Sequence, residues 1–67
     1  MIGNRLKRAR EALGLSLRDL EGAIHGQVSA QAIGKYERGE MMPGSTVLLA
    51  LSKALHITPE FLLSERE

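Results

Sequence analysis

Apolar positions recur along the chain with a period near 3.6 residues, in short pieces separated by glycine and proline, and no run alternates for long enough to suggest a strand. The first piece covers about 2–13: Leu6, Ala9, Arg10 and Leu13 share one face, Arg5, Arg8 and Glu11 lie outside it, and Gly14 stands where a helix ends. Leu15 is then expected to fold back onto the core. Ser16, with Asp19 three residues later, makes a capping box ahead of a second helix to about Ile24, in which Leu20 and Ile24 face inward one turn apart. His25-Gly26-Gln27-Val28 forms the connection. Ser29 caps a third helix whose inward face is Ile33, Tyr36 and Glu37 and which stops at Gly39. After the polar, methionine-bearing stretch 40–43, Gly44 or Ser45 opens a fourth helix reaching about His56. It is apolar around much of its circumference and is therefore expected to be the central element of the core. Thr58 before Pro59 is an N-cap with proline at the first helical position, and Phe61, Leu62 and Leu63 complete a fifth helix. Every piece is shorter than about 15 residues, the length below which an isolated helix is marginal, so all must fold as one packed unit.

The fold class expected is all-α: a five-helix domain over 1–63, with the last four residues, "SERE", reading as a tail or the start of a linker. A chain of 67 residues buries only roughly 60% of its unfolded surface, which leaves little room for an enclosed catalytic pocket. With no cysteine there is neither a disulfide frame nor a thiolate metal site, and His25 and His56 lack ligand-like spacing, so no metal, cofactor or enzymatic activity is expected. No apolar run is long enough for a membrane span or signal peptide, making a reducing, cytoplasmic location the expectation. The net charge of +1 conceals a polarity. Residues 1–38 carry seven Lys or Arg against four acids, whereas 39–67 carry two against four. A positive half suits a phosphate backbone, although an ordinary mixed-charge surface has the same composition.

With Ile33 and Tyr36 inside, helical geometry turns Ala30, Gln31, Gly34, Lys35 and Arg38 outward. Gln31 pairs a donor and an acceptor that can bracket adenine, and Lys35 can reach guanine or a phosphate. Small residues beside long polar ones suit a helix entering a groove about 12 Å wide. A glycine inside a helix costs roughly 1 kcal/mol against alanine, which close approach of another surface would offset at Gly34. Two short helices, the later one with an outward polar face, form a helix-turn-helix that sets its second member in the major groove. The first is expected to lie across the backbone, where its amides and Arg18 could meet phosphate.

These residues together resemble the Cro and phage-repressor class of helix-turn-helix domains, the XRE family, over about residues 3–63. "RLKRAREALGLSLRDL" is similar to its first helix and the entry to the second, "VSAQAIGKYERGEMMP" to its recognition helix and exit, and "LLALSKALHITPEFLL" to its last two helices. The resemblance implies base reading by Ala30, Gln31, Gly34 and Lys35, and phosphate contacts by Arg18, Ser29, Arg38 and the segment after it. It further implies a structural ion pair between Arg10 and Glu37; Arg10, on an inward-facing stripe, needs such a partner if it is buried.

Three features depart from that family. Leu17 stands where glutamine commonly reaches a phosphate, and Glu21 where the two helices usually meet through alanine. The connection "HGQV" is about two residues longer than the common turn, and a longer loop could make room for Glu21. This turn, with "KYERGEMMP", resembles repressor-like domains attached to a phage-immunity-type zinc metallopeptidase. No His-Glu-x-x-His pattern occurs here, so such chemistry would belong to another domain. The function expected is sequence-specific binding of double-stranded DNA as a transcriptional repressor, by a homodimer on a palindromic operator and with a possible C-terminal domain. The alternative is a helical protein-interaction module or antitoxin that has lost useful DNA affinity.

Overall fold

The computed structural model describes residues 2–63; the tail expected at 64–67 lies outside them. Those residues form α1 (Ile2–Ala12), α2 (Leu17–Ala23), α3 (Ala30–Glu37), α4 (Ser45–Ala54) and α5 (Pro59–Leu63), with no strand among them. No helix is long and apolar enough to cross a membrane, among the described residues.

The helix starts follow the side-chain chemistry. Ser16 Oγ accepts from the Asp19 amide at 2.9 Å, and Asp19 Oδ2 accepts from the Ser16 amide at 2.8 Å, closing the capping box. Ser29 Oγ accepts from the Ala32 amide at 3.1 Å, and Thr58 Oγ1 from the Phe61 amide at 3.1 Å. The ends share one device. After each of the first four helices the chain turns through a left-handed residue, and the next amide donates to a carbonyl five residues back: Leu15 to Arg10, Gly26 to Glu21, Glu40 to Lys35, Ile57 to Ser52. Gly14 and Gly39 supply that conformation at two ends, but His25 (φ 56°) and His56 (φ 58°) adopt it without glycine's freedom. Hence α4 stops before His56, and His56 is the turn itself.

Leu6, Leu20, Ile24, Ile33, Tyr36, Leu51, Leu55 and Leu62 form the buried core, with Leu15 packed against it. The expected centre of that core was α4; instead α3 occupies it, packing against both α1 and α2, while α4 rests on α5 and α2. The reason is circumferential. Leu49 on α4 is half exposed, so the abundance of leucine there exceeds what its neighbours cover. Leu13 is likewise exposed, because α1 ends before it and the turn at Gly14 swings it to solvent while Leu15 takes the inward place. Of α5, only Leu62 is buried; Phe61 lies outside under Arg5, whose guanidinium carbon is 4.8 Å from the ring centre. Ser52, buried in α4, donates its hydroxyl to the Leu48 carbonyl at 2.8 Å and so carries no orphaned polar atom into the core.

Gly3, near the start of α1, decides how closely that helix meets α3. A Cβ there would lie 2.5 Å from the Glu37 carbonyl oxygen and 2.8 Å from that of Tyr36. Both atoms are backbone and cannot rotate away.

Two outcomes are expected. Gly3→Ala gains at most about 1 kcal/mol of helix propensity but forces α1 off the end of α3, for a net loss of about 2 kcal/mol in chemical denaturation; a neutral or stabilising result would show that the two helices are not in contact there. The hydrogen bond from the Ser16 backbone, then that with its side chain, holds the Asp19 carboxyl below its ordinary value of 3.8. A depressed folded value stabilises the protein above the unfolded value, and that stabilisation is lost as pH falls through the folded one. The stability gap between the protein and Asp19→Ala should therefore be constant above about pH 5 and shrink on acidification below the ordinary aspartate value, as followed by thermal melts across an acid pH series.

Candidate nucleic-acid interface

An eight-residue helix needs outside support, and α3 is held at both ends as well as from behind. Ile33 and Tyr36 form its back, 0% and 4% exposed. At its start, Ser29 caps the Ala32 amide, and Glu21 Oε1 accepts from the Ala30 amide at 3.1 Å. The carboxylate thus lies against the positive end of the helix dipole. The glutamate on α2 thus bridges to the start of α3 across the connection "HGQV". At the other end, Arg10 Nε donates to Glu37 Oε2 at 2.7 Å, Nη2 donates to Oε1 at 3.1 Å, and Nη1 donates to the Leu15 carbonyl at 2.7 Å. The side chains are 11% and 7% exposed, making this a forked pair shielded from water. The hydrogen bond to Glu37 raises the Arg10 pKa further above its usual range, against the opposing effect of burial.

The front of α3 bounds an open hollow of about 640 Å³ between it and α2. Its rim consists of exposed Arg18, Gln31, Lys35 and Arg38; its floor is half-buried Leu17 and Ala30 with buried Gly34. The residues expected on one outward face are therefore gathered, with one correction. Gly34 does not project into solvent. It is covered within its own domain by Leu17 and Arg38: a Cβ at 34 would lie 3.5 Å from Leu17 Cδ1 and 3.1 Å from Arg38 Nη1. Its helix penalty is offset by these side chains as well as by any outside surface. Arg38 lies over Gly34 and also donates from Nε to Glu40 Oε2 at 2.7 Å, in an exposed pair that keeps the Glu40 carboxyl below its ordinary range. Ser29 is exposed at the N-cap of α3 but does not line the hollow, and its oxygen already accepts from the helix.

Sequence reasoning missed three contributors: Gly3 as the contact point of α1 with α3, Glu21 as a cap on another helix, and Glu40 as the partner of Arg38. A glycine inside the first helical turn was a visible signal for Gly3. The other two depend on partners chosen by loop geometry.

A family model described as helix-turn-helix matches residues 6–62. The chain belongs to the helix-turn-helix family. Repressor protein C2 of Salmonella phage P22 is 41% identical over 63 residues, covering 94% of this chain and 28% of that protein. The helix-turn-helix chain thus spans little more than a quarter of the length of this curated relative. Among solved structures, the P22 c2 repressor protein in complex with synthetic operator 9T in the presence of Tl+ superposes with a TM-score of 0.90 at 36% identity, covering 98% of this chain and 97% of that one. These matches place the domain with the phage-repressor class. They lend nothing to the narrower likeness to peptidase-linked regulators, and among the described residues no group of three or more His, Cys, Asp or Glu could hold a metal ion.

Glu37→Ala would leave Arg10 shielded from water with the Leu15 carbonyl as acceptor and, as its remaining counter-charge, the exposed Glu11 carboxylate 4.0 Å away. The expected loss is about 3 kcal/mol in urea denaturation, a large share of what a domain this small possesses. A loss below about 1 kcal/mol, the value of an exposed pair, would mean that water reaches the guanidinium.

Proposed function

We propose that this domain binds double-stranded DNA at specific sequences and represses transcription there, with α3 in the major groove. The observation carrying this reading is the agreement, at a TM-score of 0.90 over nearly the whole chain, with a repressor captured on its operator, combined with a cationic rim around the front of α3. Gln31 and Lys35 read base edges, while Arg18 and Arg38 hold flanking phosphates and Ser29 donates its hydroxyl proton to one. Ala30 and Gly34 let the helix approach the bases because neither presents a long side chain. Binding is an equilibrium without a chemical step, and no cofactor enters it.

Glu21 already occupies the Ala30 amide, so the start of α3 is neutralised from within and phosphate is drawn to the side-chain cations. Arg38 must exchange or share Glu40 to meet the backbone. The competing interaction-module reading rests on Leu17 and Glu21, residues foreign to DNA docking, and on the small net charge of +1. Leu17 and Glu21 are both used inside the domain, one over Gly34 and one capping α3. Two copies on a palindromic operator follow from the half-site reach of one such domain. A further, C-terminal domain accords with the greater length of the P22 relative; regulators with a peptidase domain are one form this could take.

Selection from random duplex DNA followed by a salt titration tests the proposal. Affinity for the selected duplex should fall steeply between low and moderate salt. Gln31→Ala should lose about 1 to 3 kcal/mol on that duplex and far less on scrambled DNA if its amide makes a bidentate base contact. Failure to enrich any sequence, or affinity indifferent to salt, would defeat the reading.

A further inference from the structure

Hydrogen-bonding side chains account for the rim of the α3 hollow but not for its floor. We propose that Leu17, Ala30 and Gly34 form a recess for the 5-methyl group of a pyrimidine in the major groove, so that Leu17 reads a base. This rests on the DNA-binding reading above and names a chemical feature the bound sequence must contain.

Leu17 opens α2, yet its side chain reaches across to α3, with Cδ1 3.5 Å from where a Cβ on Gly34 would stand. Ala30 and Gly34 are four residues apart on one face of α3, and neither has an atom beyond Cβ. A shallow depression results, walled by leucine and floored by a helix without side-chain bulk. Leu17 is only half buried there, and the hollow it lines is open to solvent. The side chains of Leu17 and Ala30 offer no donor or acceptor, so a phosphate or a polar base edge pressed against them would lose water without replacement, whereas the Arg38 guanidinium that lies over Gly34 must swing aside, toward a phosphate, before the floor there is reached. The apolar group on the major-groove edge of a base pair is the pyrimidine 5-methyl. An A·T pair presents that methyl beside the adenine donor and acceptor suited to Gln31, which borders the same hollow. Thymine and 5-methylcytosine carry the group alike.

The test uses the whole chain and the duplex enriched by selection. Each thymine is replaced in turn by uracil, which deletes one methyl group, and each cytosine by 5-methylcytosine, which adds one. At one position per half-site, loss of the methyl should weaken binding about three- to tenfold, or its addition strengthen binding by as much. Leu17→Ala should bind the methylated and unmethylated forms equally. Gly34→Ala should fold, because its added Cβ meets only the mobile end of Arg38 at 3.1 Å and an ordinary contact with Leu17 at 3.5 Å. It should bind the methyl-bearing duplex more weakly and likewise cease to distinguish the two forms. Gly34→Ala alone decides the matter should Leu17→Ala fail to fold. An effect at thymine assigns the recess to unmodified DNA; an effect confined to 5-methylcytosine assigns it to modified DNA. Tight, salt-dependent binding indifferent to every methyl change would overturn this inference while leaving the DNA-binding reading intact, as would folded variants that keep the full methyl response. Absence of any enriched duplex would instead remove the functional reading beneath it.

Discussion

Eight residues close too few hydrogen bonds to hold a helix together, so α3 keeps its shape only through what grips it from outside. Arg10 provides the strongest grip. Its guanidinium holds the Glu37 carboxylate with two donors and the Leu15 carbonyl with a third, binding the last turn of α3, the last turn of α1 and the turn between α1 and α2 into one node. Fork geometry matters because both side chains are nearly shielded from water. An unpaired guanidinium there would lose much of its hydration, whereas the three acceptors return it in a fixed orientation. Gly3 allows α1 to approach the same end of α3 at backbone distance.

The opposite end is held by another kind of charge contact. Glu21 sits on α2 and caps α3, so the angle between the two helices is constrained by a hydrogen bond as well as by packing of Leu20, Ile24 and Ile33. That contact spans a connection in which His25 and Gly26 both adopt left-handed backbone conformations. A helix clamped at both ends and sealed at the back can spend its front on polar side chains. Gln31 and Lys35 are exposed and contribute little to the core, and their placement depends on stability supplied elsewhere.

The front combines opposite demands. Cations form the rim, where they would favour any anion at long range, while Leu17 and Ala30 make the floor apolar. Glu40 tempers the rim by pairing with Arg38 in solvent, where such a pair is readily exchanged for another anion. Gly34 reconciles these layers: without a side chain it gives Leu17 and the guanidinium of Arg38 a place to lie.

Local chemistry was legible in the residues themselves. The capping box at Ser16 and Asp19, the caps at Ser29 and Thr58, and the turns at Gly14 and Gly39 each involve atoms within a few residues, so sequence spacing alone specifies them. The inward assignment of Ile33 and Tyr36 followed from helical period, and with it the outward assignment of Gln31 and Lys35. Tertiary structure decided what depends on distance between helices: that α3 rather than α4 is central, that Leu13 and Leu49 are left outside, that Gly34 is roofed by Leu17 and Arg38, and that Glu21 reaches the start of α3. A periodic pattern gives the direction in which a side chain leaves its own helix. Whether that direction meets solvent or a neighbour depends on how the helices cross, and the crossing is set by all their contacts at once.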